Sequence, residues 1–261
     1  MKAANEEAEV VLRANTLKGT LGALQQKLKE SGVDTKRAEA FPDALVLEER
    51  QNIFRHPLFK EGFFEIQDAG SQAIAQFLEV SPEMRVIDAC AGAGGKALHL
   101  AALMQNKGRI LAMDVEERKL SELRKRASRA GANIIETRLI TSTKIIKRLA
   151  GSADRLLLDV PCSGLGVLRR NPDAKWKLKA DFIDGLRQTQ RDILERYSRM
   201  LKVGGKMVYA TCSILPSENQ EQVAWFLERH GDDFALLSEK QLYSGQEGFD
   251  GFYMALLERK K

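Results

Sequence analysis

Between Met84 and Met104 the chain reads as an apolar strand, a turn of small residues and a helix. The strand is Val86-Ile-Asp-Ala89, the turn Cys90-Ala-Gly-Ala-Gly-Gly95, and the helix begins at Lys96. This arrangement brings backbone N–H groups and a helix N-terminus up to a ligand, and its glycines let that ligand lie against the main chain. The spacing is not a clean G-x-G-x-x-G, and no Gly-Lys-Ser/Thr follows, so the turn is not a phosphate-cradling P-loop.

The elements then alternate. Strand Arg109–Met113 ends in Asp114; a charged helix runs from Glu116 to Arg129 and closes at Gly131. Strand Ile134–Arg138 precedes a short helix near Ile145–Leu149, and strand Arg155–Leu158 ends in Asp159. A long helix is expected over Asp181–Leu201, ended by Gly204-Gly205, before strand Lys206–Ala210. A helix over Ser217–Arg229 is expected to start with a capping box, Ser217-x-x-Gln220. Phe234–Leu237 and Phe252–Leu257 read as closing strands. Such alternation predicts an α/β fold: a mostly parallel, doubly wound, Rossmann-like sheet with helices on both faces and its ligand at the carboxyl ends of the strands.

Upstream, residues 1–65 form a smaller α+β unit. Val10–Arg13 and Ala44–Leu47 are strand candidates, Lys18–Ser31 has helical spacing, and His56–Phe59 reads as a turn with apolar anchors. This is too little core to stand alone, so the unit is expected to pack on residues 66–261. Asp68 is a plausible N-cap for a helix through Leu78.

The formal net charge of +5 is compatible with a nucleic-acid partner without requiring one. No run of about 18 apolar residues exists, so no membrane span is expected. The first residues have no apolar signal core, and three Cys suit a reducing, cytoplasmic compartment rather than a disulfide framework. No Cys or His cluster has metal-ligand spacing.

The residues at the expected carboxyl strand ends carry the chemistry. Asp114, 19 residues after Gly95, suits hydrogen bonding to the ribose hydroxyls of a nucleoside cofactor; the bland alternative is a cap for the following helix. Cys162, in Asp159-Val-Pro-Cys-Ser-Gly-Leu-Gly166, and Cys212, in Thr211-Cys-Ser213, each directly follow a strand. One Cys alone would read as a small buried hydrophobe. Two on the ligand edge point to a thiolate nucleophile. The Cys90 side chain reads as packing.

These motifs resemble the RNA cytosine-5-methyltransferase family, the Nop/Sun group. The family's cofactor motif is similar to Asp88–Lys96, with Ala97 where Thr is usual; its Asp-x-Pro-Cys-Ser-Gly is Asp159–Gly164. Its Thr-Cys-Ser…Glu-Asn is Thr211–Ser213 with Glu218-Asn219. The Gly62…Gln67-Asp68…Ser71 segment, the closing Asp250-Gly-Phe-Tyr-Met-Ala255 and the early Leu12-Arg-Ala-Asn-Thr-Leu17 extend the resemblance over nearly the whole chain. One departure is the stretch Thr137–Thr143, which lacks the acid the family places after its third strand.

The resemblance implies S-adenosylmethionine as cofactor, held by Cys90, Ala91, Gly92, Ala93, Gly94, Gly95, Lys96, Asp114 and Asp159. It implies cytosine in RNA as substrate, ribosomal RNA first and transfer RNA second, and an N-terminal subdomain that binds RNA. It makes Cys212 the nucleophile and Cys162 the thiol of the later elimination. Asp159 would hydrogen-bond the base, and Lys96 would contact it and support the thiolate. The bland readings are a turn acid and a helix-start Lys. Arg169, Arg170, Lys175, Lys177 and Lys179 around Trp176 could follow an RNA backbone, with Trp176 stacking a base; the alternative is a solvated loop with one buried Trp. A monomer is expected, with no metal. Competing classes are DNA cytosine-5 methylation, disfavoured by the absent Glu-Asn-Val, and a methyltransferase-fold RNA-binding protein without chemistry. A thiol-redox protein is disfavoured because there is no C-x-x-C.

Overall fold

The computed structural model describes residues 7–245 and 249–261, apart from the Lys177 side chain. Two sheets organise them. The first is four-stranded, in the order β2-β3-β1-β4, from β1 (Val11–Ala14), β2 (Thr35–Arg37), β3 (Ala44–Leu47) and β4 (Phe64–Ile66). All its pairings are antiparallel. Helix α1 (Leu21–Glu30), capped by the Thr20 side chain, buries Leu24 and Leu28 against this sheet's core. The stretch at His56–Phe59, expected to be a turn, holds a one-turn helix, α2 (Pro57–Lys60), because Pro at its start and a His56 side-chain cap favour helix there.

The second sheet has seven strands. From one edge they are β10 (Phe234–Leu242), β11 (Phe252–Arg259), β9 (Leu201–Thr211), β8 (Ala153–Asp159), β5 (Arg85–Asp88), β6 (Arg109–Asp114) and β7 (Ile135–Leu139). The five from β9 to β7 run parallel; β11 is antiparallel to both β9 and β10. The strand order reverses at β5, which lies between β6 and β8. That reversal is the topological switch point, and ligands of open α/β sheets sit outside the carboxyl ends there. Helices α3 (Ala69–Phe77), α4 (Gly95–Leu103) and α5 (Glu117–Ala130) cover one face; Leu98, Leu100, Leu120 and Leu123 pack there against Val86, Ile110 and Leu157. Helices α6 (Thr143–Arg148), α8 (Ala180–Tyr197) and α9 (Gln220–His230) cover the other, with Ile146, Leu194, Val223 and Phe226 in its core. A one-turn helix, α7 (Ala174–Lys177), lies in the loop before α8.

Three local expectations differ from the structure. Helix α8 ends at Tyr197, not at Leu201, and Gly204-Gly205 lie inside β9. Ala153 pairs with Leu201 but Arg155 with Lys206, so β9 carries extra residues there, and Gly204, at φ +75°, takes up the bulge. No capping box forms at Ser217: it sits in a tight turn over Pro216–Glu218, and α9 begins after Asn219 with no side-chain cap. Asp68 does cap α3, through a 2.8 Å bond from the Gly70 N–H.

The two sheets are joined by buried polar contacts. Arg13 of β1, nearly out of solvent, donates to Gln67 and, at 2.5 Å, to the Gly95 carbonyl. Glu65 of β4 accepts from Arg126 at 2.9 Å and Arg129 at 2.5 Å, and Arg126 also donates to the Ala93 carbonyl. His99 of α4 meets Asp43 at 3.0 Å. Both guanidinium contacts fall on carbonyls of the glycine-rich turn, so the smaller sheet braces the turn from outside.

Candidate active site

The turn itself is shaped by its glycines. Gly94 takes φ +88° at the start of α4, and a Cβ there would meet Leu123 at 2.5 Å. Gly92 takes φ +54°, and a Cβ built on it would meet nothing within 4 Å, so it borders open space that a ligand can use. Its N–H donates to Asp114 Oδ2 at 2.8 Å, while Asp114 Oδ1 accepts from the Glu116 N–H at 2.9 Å. Asp114 thus ties the Gly92 turn to the residue before α5, which starts after Glu116 with no side-chain cap, and still keeps a second lone pair on each oxygen for a ribose hydroxyl.

Three carboxylates gather at the switch point: Asp88, Asp114 and Asp159. Asp88 is buried, and burial, with Asp159 beside it, outweighs Lys96 and the nearby Cys90 N–H and pushes its carboxyl up to about 7. Lys96, in the first turn of α4, answers Asp159 with a 2.6 Å ion pair. Burial alone would depress the Lys96 ammonium; the bond and charge of Asp159 outweigh it, and the group stays protonated. An acid-rich pocket with open space at Gly92 suits a nucleoside cofactor that carries positive charge. The Cys90 thiol is pushed well above its ordinary value by burial and the neighbouring acids.

On the neighbouring strand ends, Cys162 Sγ and Cys212 Sγ stand 3.3 Å apart. That is contact without a bond, since a disulfide needs about 2.05 Å. All three cysteines are free. The two thiols are pushed in opposite directions. The contact with Cys162 holds the Cys212 thiol below its ordinary value, and Lys96 adds to the lowering against burial and Asp159. Cys162 moves the other way, through the same contact, burial and nearby Glu218. The two thiols, Lys96 and Asp159 form one electrostatic unit, with Cys212 as its more acidic sulfur.

Close loop packing sets this contact. The Gly166 N–H donates to the Cys212 carbonyl at 2.8 Å, and the Gly251 N–H donates to the Gly166 carbonyl at 2.8 Å. A Cβ on Gly166 would come within 2.1 Å of the Gly251 carbonyl oxygen, so only glycine lets the three loops meet. Arg170 bridges Asp68 and Asp250, pinning the loop after Cys162 to α3 and to the start of β11. The Gln67-Asp68 and Asp250-Gly251 motifs are therefore structural braces of this site.

Two residues quoted in the sequence only as motif letters are central here. Glu218 and Asn219 are fully buried. Asn219 accepts from the Thr211 hydroxyl at 2.5 Å and donates to the Ser213 carbonyl at 2.9 Å, on either side of Cys212. Glu218 accepts from Ser163 and Ser213, the residues after the two cysteines. The signal available was a Glu-Asn pair five residues beyond Thr-Cys-Ser. Trp176, for which a buried reading was open, is 80% exposed, and Lys175 lies over its ring. Lys177 falls outside the described side chains. Among the described residues no group of acids, His and Cys suits a metal, and no helix is long and apolar enough to cross a membrane.

Comparison with known proteins gives a consistent picture. A family profile described as 16S rRNA methyltransferase RsmB/F matches residues 75–258, and one described as an RsmF/B-like ferredoxin-like domain matches residues 1–54. Ribosomal RNA small subunit methyltransferase B of Vibrio cholerae is 35% identical over the whole chain, which covers 61% of that protein. Its probable counterpart in Bacillus subtilis is 32% identical over 95% of the chain, which covers 59% of that protein. The chain thus spans about three fifths of the length of these relatives. Among solved structures, a methyltransferase homolog protein from Pyrococcus horikoshii superposes with a TM-score of 0.88 at 30% identity, covering 99% of this chain and 88% of that one. NSun6 from the same organism, solved with SFG, shares the fold, with a TM-score of 0.90 at 20% identity over all of this chain and 93% of that one.

Proposed function

The chain belongs to the 16S rRNA methyltransferase RsmB/F family, and from that premise we propose that it methylates carbon 5 of a cytosine in ribosomal RNA through a covalent enzyme–RNA intermediate. The observation that carries this reading is the 3.3 Å contact of Cys162 and Cys212 beside the Lys96–Asp159 pair. S-adenosylmethionine, when bound, supplies the methyl group; the turn Cys90–Lys96 with Asp114 would hold it, since Gly92 leaves room and the acid-rich pocket complements its charge.

Carbon 5 of cytosine is a poor nucleophile, and the proposed steps make it a better one. The Cys212 thiolate attacks carbon 6, and the electron pair of the 5,6 double bond becomes available at carbon 5. Asp159 hydrogen-bonds the base near N3 and N4, where charge builds in the transition state. Lys96 holds positive charge against the attacking sulfur. After transfer, a general base takes the carbon 5 proton, the C–H electron pair re-forms the 5,6 double bond, and the S–C6 bond breaks with its pair returning to the Cys212 sulfur; Cys162, in contact with Cys212, takes part in that elimination. Residues 1–65 are proposed as an RNA-binding subdomain and 66–261 as the catalytic domain. The names of the relatives favour ribosomal over transfer RNA.

The test is transfer from radiolabelled S-adenosylmethionine to free 16S rRNA, small subunits and transfer RNA, with nucleoside analysis of the product. The reading expects label in 5-methylcytidine of ribosomal RNA and none with Cys212→Ala. Label on another atom, or none with any of the three RNAs, overturns it.

A further inference from the structure

Glu218 is a carboxylate fully removed from solvent at the end of the turn before α9. Oε2 accepts from the Ser163 hydroxyl at 2.5 Å and from the Ser213 hydroxyl at 2.5 Å, and those two hydroxyls stand 3.1 Å apart. Oε1 accepts from the Ser163 N–H at 2.9 Å and from Gln190 Nε2 at 3.0 Å. All four donors are neutral. The Glu218 backbone is itself held, its carbonyl accepting from the buried Tyr209 hydroxyl at 2.7 Å.

A buried carboxylate held only by neutral donors carries a desolvation cost that an apolar residue would avoid. Loop closure alone does not call for one. What this carboxylate does that an apolar side chain cannot is fix the direction of the two serines, each joined by one peptide bond to a cysteine. Ser163 and Ser213 come from loops 50 residues apart, and so do the sulfurs 3.3 Å from one another.

We propose that Glu218 is a positioning residue: by tying Ser163 to Ser213 it holds the Cys162 and Cys212 sulfurs in the contact that a two-thiol reaction requires. The inference rests on the proposed function for its purpose, though its geometry does not.

The test reads the sulfur contact directly, without RNA, cofactor or turnover. Diamide takes two electrons and two protons from a neighbouring pair of thiols and leaves a disulfide. Its rate of forming the Cys162–Cys212 link in the native protein is followed by mass spectrometry. Glu218→Gln keeps the size but turns one acceptor into a donor facing donors. The link is expected to form at least about tenfold more slowly, kcat to fall by a similar factor, and the KM for S-adenosylmethionine to stay within about twofold. Wild-type linking in Glu218→Gln overturns the proposal. So does a loss of cofactor affinity as large as the loss of linking, which marks a general structural role. Should that variant not fold, Ser163→Ala/Ser213→Ala, which keeps the carboxylate, is expected to slow linking likewise, and wild-type linking there overturns the proposal equally. A wild type that links readily but methylates no RNA would sink the functional reading and leave this comparison standing.

Discussion

Lys96 Nζ donates to Asp159 Oδ2 at 2.6 Å, joining the first turn of α4 to the end of β8 across the switch point. Burial opposes the charge on the ammonium, and the Asp159 carboxylate more than offsets it. Lys96 therefore remains cationic beside Cys212, whose thiol it helps to lower.

Removing that charge should disarm the sulfur. In Lys96→Met the pH midpoint for alkylation of Cys212 is expected to rise, because a positive charge favours the thiolate. Activity is expected to fall by about a hundredfold or more. Rates of iodoacetamide labelling at each cysteine against pH, read by mass spectrometry, check the direction. An unmoved midpoint would show that Lys96 does not act on Cys212.

Asp88 gives cofactor binding a proton signature. Burial and Asp159 raise its carboxyl to about 7, so near neutral pH it is about half protonated. A cation entering the pocket favours the ionised form, so binding of S-adenosylmethionine at pH 7 should release up to about half a proton. Titration calorimetry in buffers of different ionisation enthalpy measures this. Release should vanish at pH 9 and in Asp88→Asn. Proton uptake, or heats independent of buffer, would contradict the assignment.

Glu65 is the buried anion between Arg126 and Arg129, and through Arg126 it reaches the Ala93 carbonyl. Glu65→Ala leaves two half-buried guanidiniums without their acid and should lower unfolding stability by about 3 kcal/mol. Because the brace ends on the cofactor turn, affinity for S-adenosylmethionine should fall as well. Urea unfolding and binding titration measure the two effects. A stability loss with unchanged affinity would show that the brace does not shape the turn.

The parallel sheet was legible because apolar strands, helical spacing and turn residues agree along that region. Strand ends at Asp114 and Asp159 fell where the sequence placed them, and the strand read to Ala89 ends one residue earlier, at Asp88. The smaller sheet was half legible. Its β2 is Thr35-Lys-Arg37, polar and three residues long, and only its place beside β3 makes it a strand. Gly204-Gly205 read as a helix stop because a bulge inside a strand has no local signature. Arg13 read as the polar end of a strand, yet it is buried, because its partners Gln67 and Gly95 come from distant segments. Glu218 was hidden for the same reason: only Ser213 is near it in sequence, and nothing local says that Ser163 and Gln190 are its other donors.

The central claim is the division of labour between the two thiols, and covalent trapping tests it most directly. Cys162→Ala and Cys212→Ala are each incubated with ribosomal RNA and S-adenosylmethionine and run on a denaturing gel. The account predicts a stable protein–RNA adduct with Cys162→Ala, where elimination fails, and none with Cys212→Ala, where attack fails. An adduct that accumulates only with Cys212→Ala would contradict it and make Cys162 the attacking thiol.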